Sequence, residues 1–328
     1  MNSILKDKIT GPAAWVAQDF ENDTSWLCTL TPDNIADIDR ALAQAEQAGL
    51  SYPKFTAADF PLPSLTTRFA DIAEVLENGR GFQVLRGLPV QRYSDPQINM
   101  IYYAIGLHLG EPVGQNPQGD LLGQVMNVAD PADKNARVYQ TNLYLPYHTD
   151  PSDVVGLLCL RKAKRGGLSS LVSVASIYNE ILENHREYLG LFYKQYFYAH
   201  LGDGQPPLTA LFNYHKGKLS CRYLRQYIEL GHEIMQHPLS VAETEALDLF
   251  DALMHRPELR IDMMLEPGDL QFANNYAVLH SRTDFEDHEQ AEKRRKMLRL
   301  WLKMPNARTA SDEFPGRNGF AVPASVFA

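Results

Sequence analysis

Residues 274–304 read NNYAVLHSRTDFEDHEQAEKRRKMLRLWLKM and contain two apolar runs with a polar loop between them. The first run, 277–280, ends in His280, and the second, 296–304, follows a pair of arginines. Because successive side chains of a β-strand point to opposite faces, Arg295 and Arg299 share one face of the second run. This stretch predicts two strands, one ending in a side chain that can bind a metal and one presenting positive charge.

Similar short runs fill the middle of the chain. They predict strands at 81–85, 124–128, 154–160, 168–174, 208–214, 219–224, 260–265, 270–273, 277–280 and 296–304. Turn signals separate several of them, as in His215-Lys216-Gly217-Lys218 and Glu266-Pro267-Gly268-Asp269. Helical periodicity marks 31–45, 65–76, 95–109, 176–189 and 241–255. Many short strands with turns between them indicate a mainly β fold with flanking helices, a sandwich or jelly roll rather than a parallel sheet.

The domain organisation follows from what the chain lacks. Its 328 residues contain no internal repeat and no low-complexity linker. We therefore expect a single catalytic domain over 1–328. It comprises a helical N-terminal segment of about 1–80, a jelly-roll core of about 81–304 with helical insertions, and a short tail, 305–328.

Composition narrows the choice of partners and compartment. The net charge of -9 argues against a nucleic-acid partner, which usually meets a basic face. Cys28, Cys159 and Cys221 are widely spaced and form no disulfide framework or zinc pattern, which indicates a reducing compartment. Without a signal peptide or a long apolar run, we expect a cytoplasmic protein with no membrane span. The expected partner is a small molecule, and a homo-oligomer is compatible with the sequence.

The sharpest local feature is Pro146-Tyr147-His148-Thr149-Asp150. Side chains two apart on a strand or extended turn project to the same side, so His148 and Asp150 can converge on one ion while Thr149 points away. Imidazole combined with carboxylate suits iron(II) better than calcium or magnesium. A pair of this kind also occurs by chance in ordinary polar loops. It therefore indicates a metal site only together with a third ligand from elsewhere in the chain.

His280 is the best third ligand, because it ends an apolar strand that follows Asn274-Asn275. A core histidine with satisfied hydrogen bonds is the alternative. The remaining histidines are assigned to helices, turns or the surface: His108, His185, His200, His215, His232, His237, His255 and His288. Two histidines and one carboxylate leave three coordination positions open, as in non-haem iron oxygenases, although a catalytic zinc site stays open on ligand identity.

The arginine run favours one of these interpretations. Arg295 and Arg299 place two guanidinium groups on one strand face, although Trp301 and Leu302 disturb the alternation. Buried arginine is suited to hold a carboxylate in bidentate fashion, so a dicarboxylate cosubstrate accounts for the pattern. The alternative is a basic surface run that pairs with the acidic residues of 286–292.

Four motifs occur in a fixed order: HTD at 148–150, GGLSSLVS at 166–173, NNYAVLHSRTDFED at 274–287 and RRKMLRLWL at 294–302. Together they resemble the taurine dioxygenase / clavaminate synthase-like (TauD/TfdA) family over about 81–304. That family consists of iron(II)/2-oxoglutarate-dependent dioxygenases on a double-stranded β-helix, a form of jelly roll. The resemblance implies Fe(II) as the metal, with 2-oxoglutarate and O2 as cosubstrates.

The resemblance also implies roles for individual residues. The iron ligands are His148, Asp150 and His280. Arg295 matches the family arginine that pairs with the distal carboxylate of 2-oxoglutarate, with Arg294 as the alternative register. Ser169 stands where the family commonly has a threonine that bonds the same carboxylate, although Ser170 is adjacent. Arg299 lies at a position that meets the cosubstrate or the substrate anion.

The implied reaction is hydroxylation of an unactivated C–H bond, with desaturation or ring closure as other outcomes of the same chemistry. A metal-dependent hydrolase and a catalytically silent binding protein are the rival interpretations. The expected substrate is a small carboxylate-bearing molecule, an amino acid or a biosynthetic intermediate. Its candidate contacts are Gln115, Asn142, Tyr144, Arg222, Tyr223 and Arg282.

Overall fold

The computed structural model describes residues 4–129, 140–199, 204–314, 318–323 and 326–327. The α-helices in these residues are α1 (Pro32–Gln47), α2 (Thr66–Asn78), α3 (Asp95–Leu109), α4 (Val174–Asn184), α5 (Leu189–Tyr193), α6 (Arg225–Ile234) and α7 (Val241–Met254). The strands are β1 (Leu27–Thr29), β2 (Phe82–Arg86), β3 (Glu111–Pro112), β4 (Leu122–Val125), β5 (Leu145–His148), β6 (Val154–Arg161), β7 (Arg165–Gly166), β8 (Ser169–Ser173), β9 (Gln195–Phe197), β10 (Leu208–Ala210), β11 (Phe212–His215), β12 (Lys218–Cys221), β13 (Arg260–Met263), β14 (Leu270–Asn274), β15 (Val278–Arg282), β16 (Phe285–Glu286) and β17 (Lys296–Lys303).

Two sheets hold most of these strands. The larger runs in the order β1-β2-β14-β6-β17-β3, and β4 also pairs with β17. Its strands are antiparallel except for the parallel pair β1 and β2. The smaller sheet, β13-β8-β15-β5, is antiparallel throughout. The chain is therefore mainly β with several helices, as the sequence predicts.

The core is divided among three clusters of buried side chains. One cluster joins the two sheets and includes Val155 and Trp301 of the larger sheet with Leu171 and Val278 of the smaller. A second cluster packs α1, α2 and α3 against the larger sheet, and a third packs α4, α5 and α7 against the smaller. Both sheets are thus covered on two faces, which explains the near-continuous apolar sequence of β17.

Several local predictions are confirmed. The helices expected at 31–45, 65–76, 95–109 and 241–255 correspond to α1, α2, α3 and α7. In the hairpin turn between β11 and β12, Lys216 and Gly217 have φ values of 47° and 79°. A left-handed backbone at both central residues matches the twist of the strands that such a turn joins.

Other local predictions need correction. The segment 1–80, expected to be helical, also contains β1, which extends the larger sheet through the pairing of Leu27 with Val84. The predicted strand 208–214 is divided into β10 and β11. The predicted helix 176–189 ends earlier, at Asn184 of α4, and α5 begins only at Leu189. Helix α6 was not predicted, and it buries Ile228, Gly231 and His232.

Candidate metal and cosubstrate site

His148 and His280 stand opposite each other on neighbouring strands. β5 and β15 run antiparallel, and their register pairs these two residues. Cross-strand partners lie close together, and here the two ring centroids are 4.3 Å apart. The register shifts between His280 and Arg282, so the regular pairing ends beside the site. Sheet pairing thus brings together two imidazoles that are far apart in the sequence.

Asp150 joins the two histidines from the turn that follows β5. One potential ligand atom from each of His148, Asp150 and His280 lies within 4.8 Å of the other two. Within the described ranges, this is the one group of three potential metal-binding side chains. His200, which the sequence assigns to a helix, turn or surface position, lies outside the described residues.

Both imidazoles are in the form that binds a transition metal. Burial lowers the pKa of His148, and it lowers the pKa of His280 to about 3. Nδ1 of His148 lies 2.8 Å from the carbonyl oxygen of Pro146, to which it can donate its proton, so Nε2 is left for a metal. Neutral rings at physiological pH are what metal ligation requires.

The carboxylate of Asp150 lies between a cation and an imidazole. Its Oδ1 is 3.6 Å from Nη1 of Arg299, and its Oδ2 is 3.8 Å from Nε2 of His280. Burial by itself would raise the pKa of Asp150, but the interactions that oppose it, led by the charge of Arg299, outweigh burial, so the pKa is lowered. The group is therefore ionised at neutral pH, as a metal ligand must be.

A cavity lined by residues of both sheets reaches all three candidate ligands. Its apolar wall includes Val125, Leu157 and Met297. Its polar lining consists of His148, Asp150, Ser169, Gln271, His280, Ser281, Arg282, Arg295 and Arg299. Apolar walls with a few convergent polar groups are typical of a site for a small molecule.

Two arginines of this cavity are buried with donors to spare. Arg282 is 5% exposed and Arg295 is 4% exposed. Among the residues that the structure describes, Nε and Nη1 of Arg282 and Nη1 of Arg295 find no hydrogen-bond partner. Both guanidinium groups lie over the ring of Phe285, with Cζ 4.8 and 5.2 Å from its centroid. Because unsatisfied buried donors are costly, this pair fits an anionic ligand such as a carboxylate.

Each of these arginines is anchored through its other nitrogens. Nη2 of Arg282 donates to the carbonyl oxygens of Thr141, at 3.1 Å, and Leu143. Nη2 of Arg295 lies 2.9 Å from Sδ of Met297. Burial lowers the pKa of Arg282 to about 9 and that of Arg295 to about 10, so both remain charged at neutral pH. The site therefore presents two fixed positive charges.

Gln115, a predicted substrate contact, supports Arg299 instead of lining the cavity. Its Oε1 accepts a hydrogen bond from Nε of Arg299 at 2.7 Å. Its Nε2 donates to the carbonyl oxygens of Arg299 and Leu121, at 2.7 and 2.8 Å. Gly123 provides the space, because a Cβ there would lie only 2.5 Å from Oε1 of Gln115. Gln115 thus fixes the guanidinium that faces Asp150.

The adjacent serines Ser169 and Ser170 have different surroundings. Ser169 lines the cavity, and its hydroxyl donates to Oε1 of Gln271 at 2.8 Å. The hydroxyl of Ser170 donates to Oδ1 of Asp262 at 2.5 Å and contacts the hydroxyl of Tyr147. Of the two, the structure brings Ser169 to the cavity.

Strand β17 alternates without interruption. Arg295, Met297 and Arg299 line the cavity, and Trp301 lies in the cluster between the sheets. The leucines of the strand lie in the cluster toward α1, α2 and α3. The expectation that Trp301 and Leu302 disturb the alternation is wrong, because both faces are buried and an apolar residue fits either face. Arg294 precedes the strand and is exposed.

Two predicted substrate contacts lie near the site but not in the cavity lining. Nδ2 of Asn142 donates to the carbonyl oxygen of Phe285 at 3.3 Å. The hydroxyl of Tyr144 lies 3.0 Å from Nε2 of His255, and Tyr144 is 38% exposed. These contacts favour a role for Asn142 in holding the loop before β5 and a surface position for Tyr144.

Arg222 and Tyr223, also predicted as substrate contacts, are tied to the turn that carries Asp150. The N–H of Thr149 donates to the carbonyl oxygen of Tyr223 at 2.9 Å, and the N–H of Tyr223 donates to Oγ1 of Thr149 at 3.1 Å. The buried hydroxyl of Tyr223 donates to Asp251 at 2.6 Å, so this side chain belongs to the core. Arg222 is half-buried, with Cζ 5.3 Å from the ring centroid of Phe314.

Three residues at the site were not singled out from the sequence: Gln271, Asn275 and Trp301. Gln271 accepts a hydrogen bond from Ser169, and Asn275 accepts one from the backbone N–H of Asp150. The ring centroid of Trp301 lies 4.6 Å from Cζ of Arg299. Extending the period-two pattern of β17 by one step would have found Trp301. The polar pair Asn274-Asn275 before an apolar strand was a signal for Asn275, whereas nothing in the sequence marks Gln271.

Known proteins match this chain over most of its length. Residues 42–301 match the family described as taurine catabolism dioxygenase TauD, TfdA family. FR-33289 synthase of Streptomyces rubellomurinus (strain ATCC 31215) is 35% identical over 318 residues, which cover 94% of this chain and 94% of that protein.

Solved structures share the fold. An asparagine oxygenase in complex with Fe(II), 2S,3S-3-hydroxyasparagine and succinate has a TM-score of 0.67 at 18% identity, covering 85% of this chain and 93% of its own. The non-heme iron oxygenase OrfP in complex with Fe and alpha-ketoglutaric acid has a TM-score of 0.62 at 17% identity, with coverages of 84% and 93%. At these identities the likeness concerns the fold.

Proposed function

The chain belongs to the TauD/TfdA family of dioxygenases, and from this premise we propose that His148, Asp150 and His280 hold iron(II). One observation carries the proposal: the cavity that reaches these side chains also contains the unused donors of Arg282 and Arg295. Three ligands from the protein leave room for a chelating cosubstrate, and the two cations suit its distal carboxylate. 2-Oxoglutarate satisfies both requirements.

The residues of the chain bind and orient, while iron(II) with 2-oxoglutarate supplies the activation of O2 and the oxidising power. Arg295 holds the distal carboxylate of 2-oxoglutarate, and Arg282 adds a second cationic contact. The hydroxyl of Ser169 joins them by turning its proton from Gln271 to the carboxylate. Arg299, which the sequence places at the cosubstrate or the substrate anion, lines the same cavity and also orients Asp150. The apolar cavity wall keeps water away from the reacting atoms.

We also infer that the two sheets form the double-stranded β-helix of the family. The support is that both are antiparallel apart from the pair β1–β2, and that they share one cluster of buried side chains. The helical segment before residue 81 packs on the larger sheet within a common cluster, which favours one catalytic domain over 1–328.

Hydroxylation of an unactivated C–H bond is the reaction that we propose. Desaturation and ring closure begin with the same hydrogen abstraction and are its alternatives. A hydrolase with the same three ligands would have no use for the buried pair Arg282 and Arg295. A silent binding protein would not need to keep a complete ligand set.

We propose a small carboxylate-bearing substrate, such as an amino acid or a biosynthetic intermediate. Arg222 is the candidate contact for its anionic group. The support is that the next residue, Tyr223, exchanges two hydrogen bonds with Thr149 of the ligand-bearing turn. An Arg222→Ala variant should raise the KM for the substrate and leave the KM for 2-oxoglutarate unchanged. An unchanged substrate KM would remove Arg222 from the site.

The compartment that we propose is the cytoplasm. All three cysteines are free thiols, and Cys159 and Cys221 are buried. Free thiols persist in reducing compartments. Among the helices that the structure describes, none is long and apolar enough to cross a membrane.

Succinate release tests the proposed function. The protein is reconstituted with iron(II) and supplied with 2-oxoglutarate, O2 and a panel of free amino acids, N-acyl amino acids and sulfonates. We expect substrate-dependent succinate from the wild type and none from Asp150→Ala. Equal release from both proteins would reject the proposal.

A further inference from the structure

Asn275 connects the two parts of the chain that carry the candidate metal ligands. It is 1% exposed and follows β14, five residues before His280. Its Oδ1 accepts the backbone N–H of Asp150 at 3.0 Å and lies 3.2 Å from Nε2 of His280. A single amide oxygen therefore touches both Asp150 and His280.

The other end of the same amide is fixed as well. Nδ2 of Asn275 donates to the carbonyl oxygen and the hydroxyl oxygen of Ser152, at 3.1 and 3.0 Å. Its backbone N–H donates to the carbonyl oxygen of Asp153 at 2.9 Å. Because Nδ2 must face the carbonyl of Ser152, the orientation of the amide is determined and Oδ1 faces Asp150. The turn 150–153 is thus clamped to the segment that leads into β15.

Asn274, the preceding residue, has a different role. It is 2% exposed, so its burial matches that of Asn275. Its Nδ2 donates to the carbonyl oxygen of Leu76 and to Glu77, at 3.0 and 3.1 Å. Its Oδ1 accepts the N–H of Tyr276 at 2.8 Å. These bonds join the end of β14 to α2 and do not reach a candidate ligand.

We propose that Asn275 is a positioning residue that holds the turn carrying Asp150 against the segment that leads to His280. The inference rests on the proposed iron site and adds a residue to it. Without the amide, the N–H of Asp150 loses its acceptor, and Ser152 of the same turn loses the donor that ties it to residue 275. The turn then samples positions in which the carboxylate and the imidazole no longer converge, which weakens metal binding before any cosubstrate or substrate is bound.

Metal affinity of the full chain tests this role without turnover. Co(II), which gives visible absorption bands that depend on ligand geometry, is titrated into wild type, Asn275→Ala and Asn274→Ala. Loss of a group that orients a metal ligand weakens metal binding by about 10- to 100-fold, and we expect this range for Asn275→Ala together with altered Co(II) bands. Asn274→Ala should bind Co(II) like the wild type, even though its metal-free unfolding temperature falls.

Two further variants separate positioning from stability. Asn275→Asp keeps an acceptor for the N–H of Asp150 and should bind Co(II) more tightly than Asn275→Ala. If Asn275→Ala gives too little folded protein, Asn275→Ser replaces it, because serine is polar but too short to span Asp150 and Ser152.

The possible outcomes distinguish the two proposals. If the wild type itself does not bind Co(II), the proposed function fails. If the wild type binds and Asn275→Ala binds equally well, only the role of Asn275 fails. If Asn274→Ala and Asn275→Ala weakened Co(II) binding equally, a general loss of folding stability would explain the effect. That result would likewise overturn the positioning role.

Discussion

Arg299 and Asp150 form an ion pair inside the cavity, with Nη1 of Arg299 3.6 Å from Oδ1 of Asp150. The other carboxylate oxygen, Oδ2, lies 3.8 Å from Nε2 of His280. The two oxygens therefore have different neighbours, which suits a carboxylate that gives one oxygen to a metal and one to a supporting cation. Gln115 fixes the guanidinium on its far side.

Replacing Gln115 should disturb the metal more than the substrate. In Gln115→Leu, Nε of Arg299 loses its acceptor, so Arg299 holds Asp150 less firmly. We expect Fe(II) affinity to fall by roughly tenfold while the KM for the substrate stays near the wild-type value. Asn116→Ala is the control, because this neighbouring side chain bonds Asp120 and not Arg299. A raised substrate KM with normal Fe(II) affinity would restore Gln115 to the substrate site.

The adjacent arginines Arg294 and Arg295 should separate cleanly in 2-oxoglutarate binding. Arg295 lines the cavity, whereas Arg294 is exposed. A hydrogen bond to a charged group contributes about 1.5–3 kcal/mol, so Arg295→Gln should raise the KM for 2-oxoglutarate by roughly 10- to 150-fold. Arg294→Gln should leave it unchanged. If steady-state kinetics showed a raised KM for Arg294→Gln and not for Arg295→Gln, Arg294 would be the residue that binds 2-oxoglutarate.

The adjacent serines provide a second matched pair. Ser169→Ala removes a neutral hydroxyl from the cavity, so we expect a loss of about 0.5–1.5 kcal/mol in 2-oxoglutarate binding, roughly two- to tenfold in KM. Ser170→Ala removes the partner of Asp262 and Tyr147 and should lower the unfolding temperature with little change in KM. A larger KM effect in Ser170→Ala would exchange the two roles.

The free energy of unfolding should depend on acid pH through Glu243, which forms a capping box with Ser240 at the start of α7. Burial by itself would raise the pKa of Glu243, but Lys194 and the bonds from Ser240 outweigh burial and lower the pKa to about 2. The unfolded chain has the ordinary value of 4.5. A carboxyl with a depressed folded pKa stabilises above its unfolded pKa, and this stabilisation is lost as the pH falls from 4.5 toward 2.

Glu243→Gln keeps the capping geometry but not the charge, so it isolates this contribution. The free energy of unfolding in urea should be lower than that of wild type at pH 7, and the difference should shrink as the pH falls through that window. Glu245→Gln, an exposed neighbour on the same helix, is the control. A difference that persists at the lowest pH would show that the charge is not its source.

The sequence predicted the parts of the site that carry their own chemistry. His148 and Asp150 have the spacing of a chelating pair, and Arg295 breaks an apolar strand with a charge that needs a partner. Such features are visible because a charged or metal-binding side chain at a core position is unusual. The helices α1, α2, α3 and α7 were equally visible, since their apolar residues recur with helical period.

The remaining parts depend on contacts between distant segments. No sequence pattern states that His148 and His280 are cross-strand partners, because register is set by the whole sheet. The sequence shows Tyr223 only as a polar residue after a predicted hairpin turn. The structure shows that its hydroxyl donates to Asp251. Asn275 is one of two adjacent asparagines, and only the fold distinguishes their partners. Tertiary contacts, rather than local propensity, decide these roles.

An anaerobic titration with Fe(II) and 2-oxoglutarate examines the metal and the cosubstrate together. Chelation of iron(II) by a 2-oxo acid gives a weak visible charge-transfer absorption. We predict this band in the wild type, its loss in Asp150→Ala, and a higher 2-oxoglutarate concentration for saturation in Arg295→Gln. Metal-loaded wild type without the band would contradict the assignment of His148, Asp150 and His280 as an iron site that takes 2-oxoglutarate.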